Sequence, residues 1–278
     1  MKNMYRFARA ALVALAGSLA VIGCGAHAEG GKMVDPAAAQ IAKELAPTGT
    51  LRAAINFGNP VLAQKDAAGE PRGVTVDLGR ELARRLDLAL ELVSFDAAGK
   101  VFEALKANAW DVAFLAIEPV RAAEIAFTAP YVLIEGVYLV PKDSNLRTPE
   151  EVDRDGVRIG VNKGSAYDLY LTRTLKHAQL HRGESGIELF RKDGLDAAAG
   201  VKQPLVEYAR NHPDVRVMDG RFMEIRQAMG TPRVRLAGSE AVPRYLRAFV
   251  EEMKASGFVA HALARSNQPD AAVAPAEK

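Results

Sequence analysis

From residue 51 onward the chain alternates between two hydrophobic periods, and layered α/β folds are the ones that accept such alternation over this length. Residues 51–55 read as a strand, with Asn56, Phe57, Gly58, Asn59 and Pro60 as the loop at its end. Val74, Leu78, Leu82 and Leu86 then recur every fourth residue, which is one face of a helix. Leu88, Leu90 and Leu92 return to strand alternation, and Val101 and Leu105 mark a further helix. Residues 111–117 are a continuous apolar run, as expected of a strand buried in a parallel sheet. Pro119 suits the first turn of a short helix. The pattern restarts with a strand at 157–161, a turn at Asn162, Lys163, Gly164 and Ser165, a helix at 166–177, a strand at 195–199 and a helix at 203–212. Two long β-prone runs, 131–140 and 222–229, bracket this second block, and an amphipathic helix at 240–254 follows. Repeated βα units predict a sheet covered by helices on both faces, and the bracketing runs predict a second lobe inserted into the first. No internal sequence repeat is visible. Residues 29–48 read as a leader with a short helix, and residues 267–278, rich in Ala, Pro and charge, as a flexible tail.

The first 28 residues have a separate logic. Lys2, Arg6 and Arg9 precede an apolar run from residue 10 to 22, and Ala26-His27-Ala28 follows. A charged start, a short apolar core and small residues at a cut site are the parts of a secretory signal, and the run falls short of the ~20 apolar residues of a spanning helix. Val21-Ile22-Gly23-Cys24 also resembles a lipobox, which would make Cys24 a lipidated N-terminus in competition with the cut after Ala28. Either route predicts a periplasmic location. Removing residues 1–28 leaves 33 basic against 34 acidic side chains and no cysteine. That balance offers no field for nucleic acid, and the lack of Cys excludes a disulfide framework and a Cys-based zinc site.

The order of motifs over residues 49–265 resembles the family 3 periplasmic solute-binding proteins. The matching stretches are Thr50-Leu51-Arg52-Ala53-Ala54-Ile55-Asn56, Gly73-Val74-Thr75-Val76-Asp77-Leu78, Phe102-Glu103-Ala104-Leu105-Lys106-Ala107 and Trp110-Asp111-Val112-Ala113. Arg121-Ala122-Ala123-Glu124-Ile125-Ala126-Phe127-Thr128-Ala129-Pro130-Tyr131 and Gly160-Val161-Asn162-Lys163-Gly164-Ser165 complete the set. The resemblance implies a two-lobed, type II periplasmic-binding-protein-like α/β fold with two hinge strands. It places lobe 1 at 49–138 plus 230–266 and lobe 2 at 139–229. It also implies a monomer without cofactor, metal or catalytic residues, a small solute, carboxylate-bearing, held in the cleft, and ABC permease subunits as partners.

A small zwitterion needs a guanidinium or helix N–H groups for its carboxylate and an acid or carbonyls for its ammonium. By the resemblance, Arg121 grips the carboxylate, aided by backbone N–H groups near Ala116 and at the Gly164-Ser165-Ala166 turn, with Phe114 on the preceding strand. Ser165 also suits a helix N-cap, and the two roles are compatible. Asn56, Phe57 and Asn59 occupy the first-lobe loop, where Phe57 is either an aromatic platform or a core residue. Tyr167 and Gln203 are further candidates.

The chain departs from the family pattern twice. Residues 114–121 run about two residues short, lack the usual hydroxyl and carry Glu118 in its place. Glu118 reads as a helix cap, and if turned into the cleft it would repel an anionic ligand or bind a cationic one. The acid that commonly holds the ligand ammonium falls near Val201, where none is present. An enzyme of the cyclohexadienyl dehydratase type, or a ligand-sensing module, are the alternatives on the same fold. His177 and His181 have helical metal spacing without accompanying ligands and read as solvated surface.

Overall fold

The computed structural model describes residues 36–269 and 271–277, so the export signal and Cys24 lie outside the described residues. The chain opens with helix α1 (Pro36–Leu45), whose Ile41, Ala42 and Leu45 are buried. Strand β1 (Thr50–Asn56) follows, then a small hairpin of β2 (Gln64–Lys65) and β3 (Pro71–Arg72). Helix α2 (Val74–Arg85) buries Val74, Leu78 and Leu82, the face set by their fourfold spacing. Next come β4 (Ala89–Phe95), α3 (Ala98–Glu103), β5 (Val112–Ala116) and the single turn α4 (Pro119–Ala122), which Pro119 opens. The 17-residue strand β6 (Ile125–Pro141) leads to β7 (Arg158–Asn162), α5 (Ala166–Thr174), β8 (Gln179–Gly183) and α6 (Gly186–Asp193). The chain continues through β9 (Ala197–Val201), α7 (Lys202–Asn211), β10 (Val215–Val217) and β11 (Met223–Pro232). Helices α8 (Ala241–Ala255) and α9 (Phe258–Arg265) precede a short strand β12 (Ala272–Val273).

Among the described residues the main sheet runs β4-β1-β5-β11-β6-β9-β7-β8, with β10 and β12 also pairing with β6. It contains the same arrangement twice. β1 lies between parallel β4 and β5, and β5 is closed by antiparallel β11. β7 lies between parallel β8 and β9, and β9 is closed by antiparallel β6. These are the two lobes, and β6 and β11 join them. The joint is Gly136, which pairs with Met223 on one side and Val201 on the other. A Cβ there would stand 2.7 Å from the Met223 side chain, so the close strand approach depends on glycine.

The duplication extends to side chains. In the first lobe the Asp111 carboxylate accepts from the Arg52 backbone N–H at 2.7 Å and from Arg52 Nε at 3.2 Å. In the second, Asp196 accepts from the Arg158 backbone N–H at 2.8 Å and from its Nε at 3.1 Å. Each Asp stands just before the third parallel strand of its lobe and fastens it to the third residue of β1 or the first of β7. The repeat leaves little trace in the sequence because the shared features are single residues, an Arg–Asp pair and a strand-terminal Asn, inside otherwise different apolar runs.

The structure corrects several expectations. The helix expected at 166–177 stops at Thr174, and the next residues enter β8. β8 and α6 were not expected from the sequence. β8 is an edge strand with little buried surface, so it carries no apolar signature. The expected flexible tail instead includes β12, which pairs Ala272 with Leu133 and Val273 with Val132 of β6. Ala271 and Ala274 are buried there, and Lys254 Nζ donates to the Pro275 carbonyl at 2.9 Å.

Candidate functional site

The C-terminal ends of the parallel strands in both lobes meet at a cavity of about 150 Å³. This is the usual place for a ligand in α/β sheets. β1 supplies Asn56, β5 supplies Leu115 and Ala116, β7 supplies Asn162, and β9 supplies Ala199, Gly200 and Val201.

Arg121 is the cavity's charged centre. It lies in the one turn of α4 and is 1% exposed. Its Nη1 donates to the Ala116 carbonyl at 3.2 Å and its Nη2 to the Gly164 carbonyl at 2.8 Å. The guanidinium thus ties the end of β5 in the first lobe to the turn after β7 in the second. Its Nε is buried without a hydrogen-bond partner. Burial pushes the guanidinium down to about 10, with nearby Glu118 acting the other way, so it stays charged at neutral pH.

The turn after β7 is fixed by Asp168. Its carboxylate accepts from the Gly164 N–H and from Arg182 Nε, both at 2.8 Å. Ser165 caps α5, its hydroxyl accepting from the Asp168 N–H at 3.0 Å. Gly164 has φ +70°, and a Cβ on it would lie 2.9 Å from the Gly99 Cα, so the turn and the α3 region touch backbone to backbone.

Glu118 occupies the N-cap position of α4 but makes no side-chain cap, contrary to the sequence expectation. It is buried and accepts from Arg173 Nη1 on α5 at 2.5 Å, a bond from one lobe to the other. A cap requires the carboxylate to fold back on the second or third N–H of its own helix, and here it is taken by the Arg173 guanidinium instead. The nearer strong donor is across the cleft.

Of the expected site residues, Arg121, Ala116, Asn56, Asn59, Ser165, Ala166 and Val201 line the cavity, and Tyr167 lines it too. Gly164 reaches it through its carbonyl on Arg121. Phe57 and Phe114 do not line it. Phe57 packs on the core under Lys65, whose Nζ lies 5.2 Å from its ring centre. Phe114 points to the opposite face of β5 from Leu115, edge-on to Tyr131 with ring centres 6.2 Å apart. Gln203 faces away from the cavity, toward a groove with Glu135 and Asn267. Asn162, Lys163, Gln227 and Asp96 are lining residues that the sequence reading did not single out. Asn162 was within reach, since it ends β7 as Asn56 ends β1. Asp96 is largely exposed, and the Lys100 ammonium 2.9 Å away holds its carboxyl below the usual range. Among the described residues no group of His, Cys, Asp or Glu could hold a metal ion.

Residues 51–266 match the model of the bacterial extracellular solute-binding proteins, family 3. The chain belongs to this family. A relative of this family 3 protein is the lysine/arginine/ornithine-binding periplasmic protein of Escherichia coli, 27% identical over 159 residues, which are 56% of this chain and 55% of the relative. The chain spans about half the length of the curated relatives it matches. Among solved structures, the solute receptor for L-cysteine of Neisseria gonorrhoeae superposes with a TM-score of 0.69 at 20% identity, covering 82% of this chain and 94% of that one. An ancestral amino-acid-binding protein described as a precursor of cyclohexadienyl dehydratase superposes at 0.65 with 21% identity, covering 80% and 97%. These likenesses give the family 3 protein its two-lobed α/β fold.

Proposed function

We propose that this family 3 protein is the periplasmic solute-capturing subunit of an ABC importer. Residues 1–28 direct export, with Cys24 as an alternative lipid anchor, and the rest acts as a monomer presented to the permease subunits in the membrane. Its lobes, 49–138 with 230–266 and 139–229, close about β6 and β11 on a small carboxylate-bearing or amino-acid-like solute. The observation that supports this reading is the Arg121 guanidinium. It is buried at the meeting point of both lobes, bonded to one carbonyl from each, with Nε left for a guest. A charged donor in a water-poor cleft is a strong partner for a carboxylate.

The proposed mechanism is binding and closure, with no bond made or broken. A dehydratase on this fold would need a proton-transfer group near Val201. The carboxylate lining the cavity is Asp96, open to solvent and engaged by Lys100. Screening the exported protein by thermal shift against amino acids and other small carboxylates tests the reading. Stabilisation that rises with ligand concentration is expected. Turnover of prephenate or arogenate would replace the receptor with the enzyme, and a flat response throughout would favour the sensing module.

A further inference from the structure

The hydrogen-bonding groups around the cavity are unevenly divided between donors and acceptors. Three asparagines line it, and in each the carboxamide oxygen is already taken by a backbone N–H, which can only donate. Asn56 Oδ1 accepts from Gly58 at 3.0 Å, Asn59 Oδ1 from Val61 at 3.3 Å, and Asn162 Oδ1 from Gly186 at 2.8 Å. That fixes the amide orientation, so each NH2 group keeps its two donors while each oxygen has one of its two lone pairs already engaged. The hydroxyl oxygens of Ser165 and Ser185 likewise accept from Asp168 and Glu188 N–H groups; the Ser185 O–H remains to donate, whereas Ser165 is also bonded to the Tyr167 hydroxyl. Arg121 adds its unpartnered Nε.

Acceptors near the guanidinium already carry protein donors. The Ala116 and Gly164 carbonyls are occupied by Arg121 itself, and Asp168 by Gly164 and Arg182. Glu118 is bound to Arg173. Asp96 lines the cavity at an exposed position, bound to Lys100. Val201, at the end of β9, presents an aliphatic side chain. Gln227, whose side chain can turn either way, is the adaptable member of the lining. An ammonium placed in this cavity would lose its water and meet mostly other donors, whereas an oxygen-rich anion would be met on several sides.

We propose that the solute is a small organic anion rich in acceptors and without an ammonium, a hydroxy-, oxo- or dicarboxylate, and that the cavity discriminates against zwitterionic amino acids. This rests on the reading of the cavity as a solute site and names the class of solute. The family's acid-assisted ammonium grip is replaced here by a shell of amide and hydroxyl donors.

Matched pairs test it directly. The full exported protein is titrated by calorimetry with L-alanine, lactate and pyruvate, with L-aspartate, malate and oxaloacetate, and with L-glutamate, 2-hydroxyglutarate and 2-oxoglutarate. For the series that fits the cavity, the hydroxy or oxo acid is expected to bind at least about tenfold tighter than its amino partner, the scale set by an unpaired desolvated charge. An amino acid that binds more tightly than both its partners overturns the proposal and leaves the receptor reading standing. Binding by no member of any series brings down both. Val201→Asp supplies a second test. Val201 is the N-cap of α7 without a side-chain cap, a position where Asp is favoured, so folding is preserved. The variant is expected to reverse the preference toward the amino member, and an unchanged order of affinities would overturn the donor-shell explanation.

Discussion

Arg121 shows how a residue chosen for charge acquires its role from geometry. An arginine in a helix turn ordinarily places its guanidinium in water. This one is fully buried, because α4 is one turn long and its side chain turns back under the end of β5. The carbonyls of Ala116 and Gly164 satisfy two of its nitrogens and orient the third. A lysine could not hold this arrangement, since its ammonium lacks the planar fork. Arg121→Ala is therefore expected to weaken binding of the proposed carboxylate by at least ~2 kcal/mol, the scale of a charged hydrogen bond in a buried site. Calorimetry on wild type and variant measures it, and equal affinities would remove Arg121 from the site.

The informative elements are the first and third parallel strands of each lobe. The Arg–Asp clamps between them, Arg52 with Asp111 and Arg158 with Asp196, set register where a strand enters the sheet. Asp111 is buried, and Arg235 joins Arg52 on its carboxylate. Burial raises the Asp111 carboxyl, but hydrogen bonds from Arg52 and Arg235 outweigh it and hold the group below its ordinary value. A carboxyl depressed in the folded state contributes stability that is fully present above about pH 4, its unfolded range, and is lost as pH falls through the folded value. Urea unfolding should therefore show wild type losing more stability than Asp111→Asn between neutral pH and the acid range. At neutral pH the variant should be less stable by about 2 kcal/mol, because it loses charge-assisted bonds to two arginines. Parallel pH profiles would remove Asp111 as the source of the acid sensitivity.

Across the whole molecule, several contacts join the lobes besides β6 and β11. Glu118 meets Arg173, Lys100 meets Glu184 at 3.4 Å, Arg121 meets the Gly164 carbonyl, and Gly99 packs on Gly164. The Lys100 pair is exposed and worth little. The Glu118 carboxylate is 4% exposed, so breaking its bond leaves a charge with poor hydration. Arg173 keeps partial access to water, which limits the cost to about 1 kcal/mol for Glu118→Gln. That is enough to move the proposed open–closed equilibrium several-fold. Small-angle scattering without added solute should give Glu118→Gln a larger radius of gyration than wild type, with saturating solute bringing the two together. Identical envelopes under both conditions would show that the bond does not govern closure.

The sequence alone determined the alternation of strands and helices, the buried face of α2 and the two-lobed fold, and it offered Arg121 as a candidate for the cavity. These follow from spacings of two and four residues and from a motif order, which are local and survive without any knowledge of contacts. It misplaced what depends on the far side of the cleft. Glu118 has the sequence position of a cap, but its partner Arg173 is 55 residues away. Phe57 and Phe114 have suitable chemistry, yet Phe114 is turned to the opposite face of β5 by strand alternation and Phe57 packs on the core. β8 and β12 carry weak patterns and become strands because β7 and β6 offer them unpaired backbone. The donor character of the cavity is likewise a tertiary property: an asparagine amide can face either way until a backbone N–H orients its oxygen, and for Asn162 that N–H belongs to Gly186, 24 residues on.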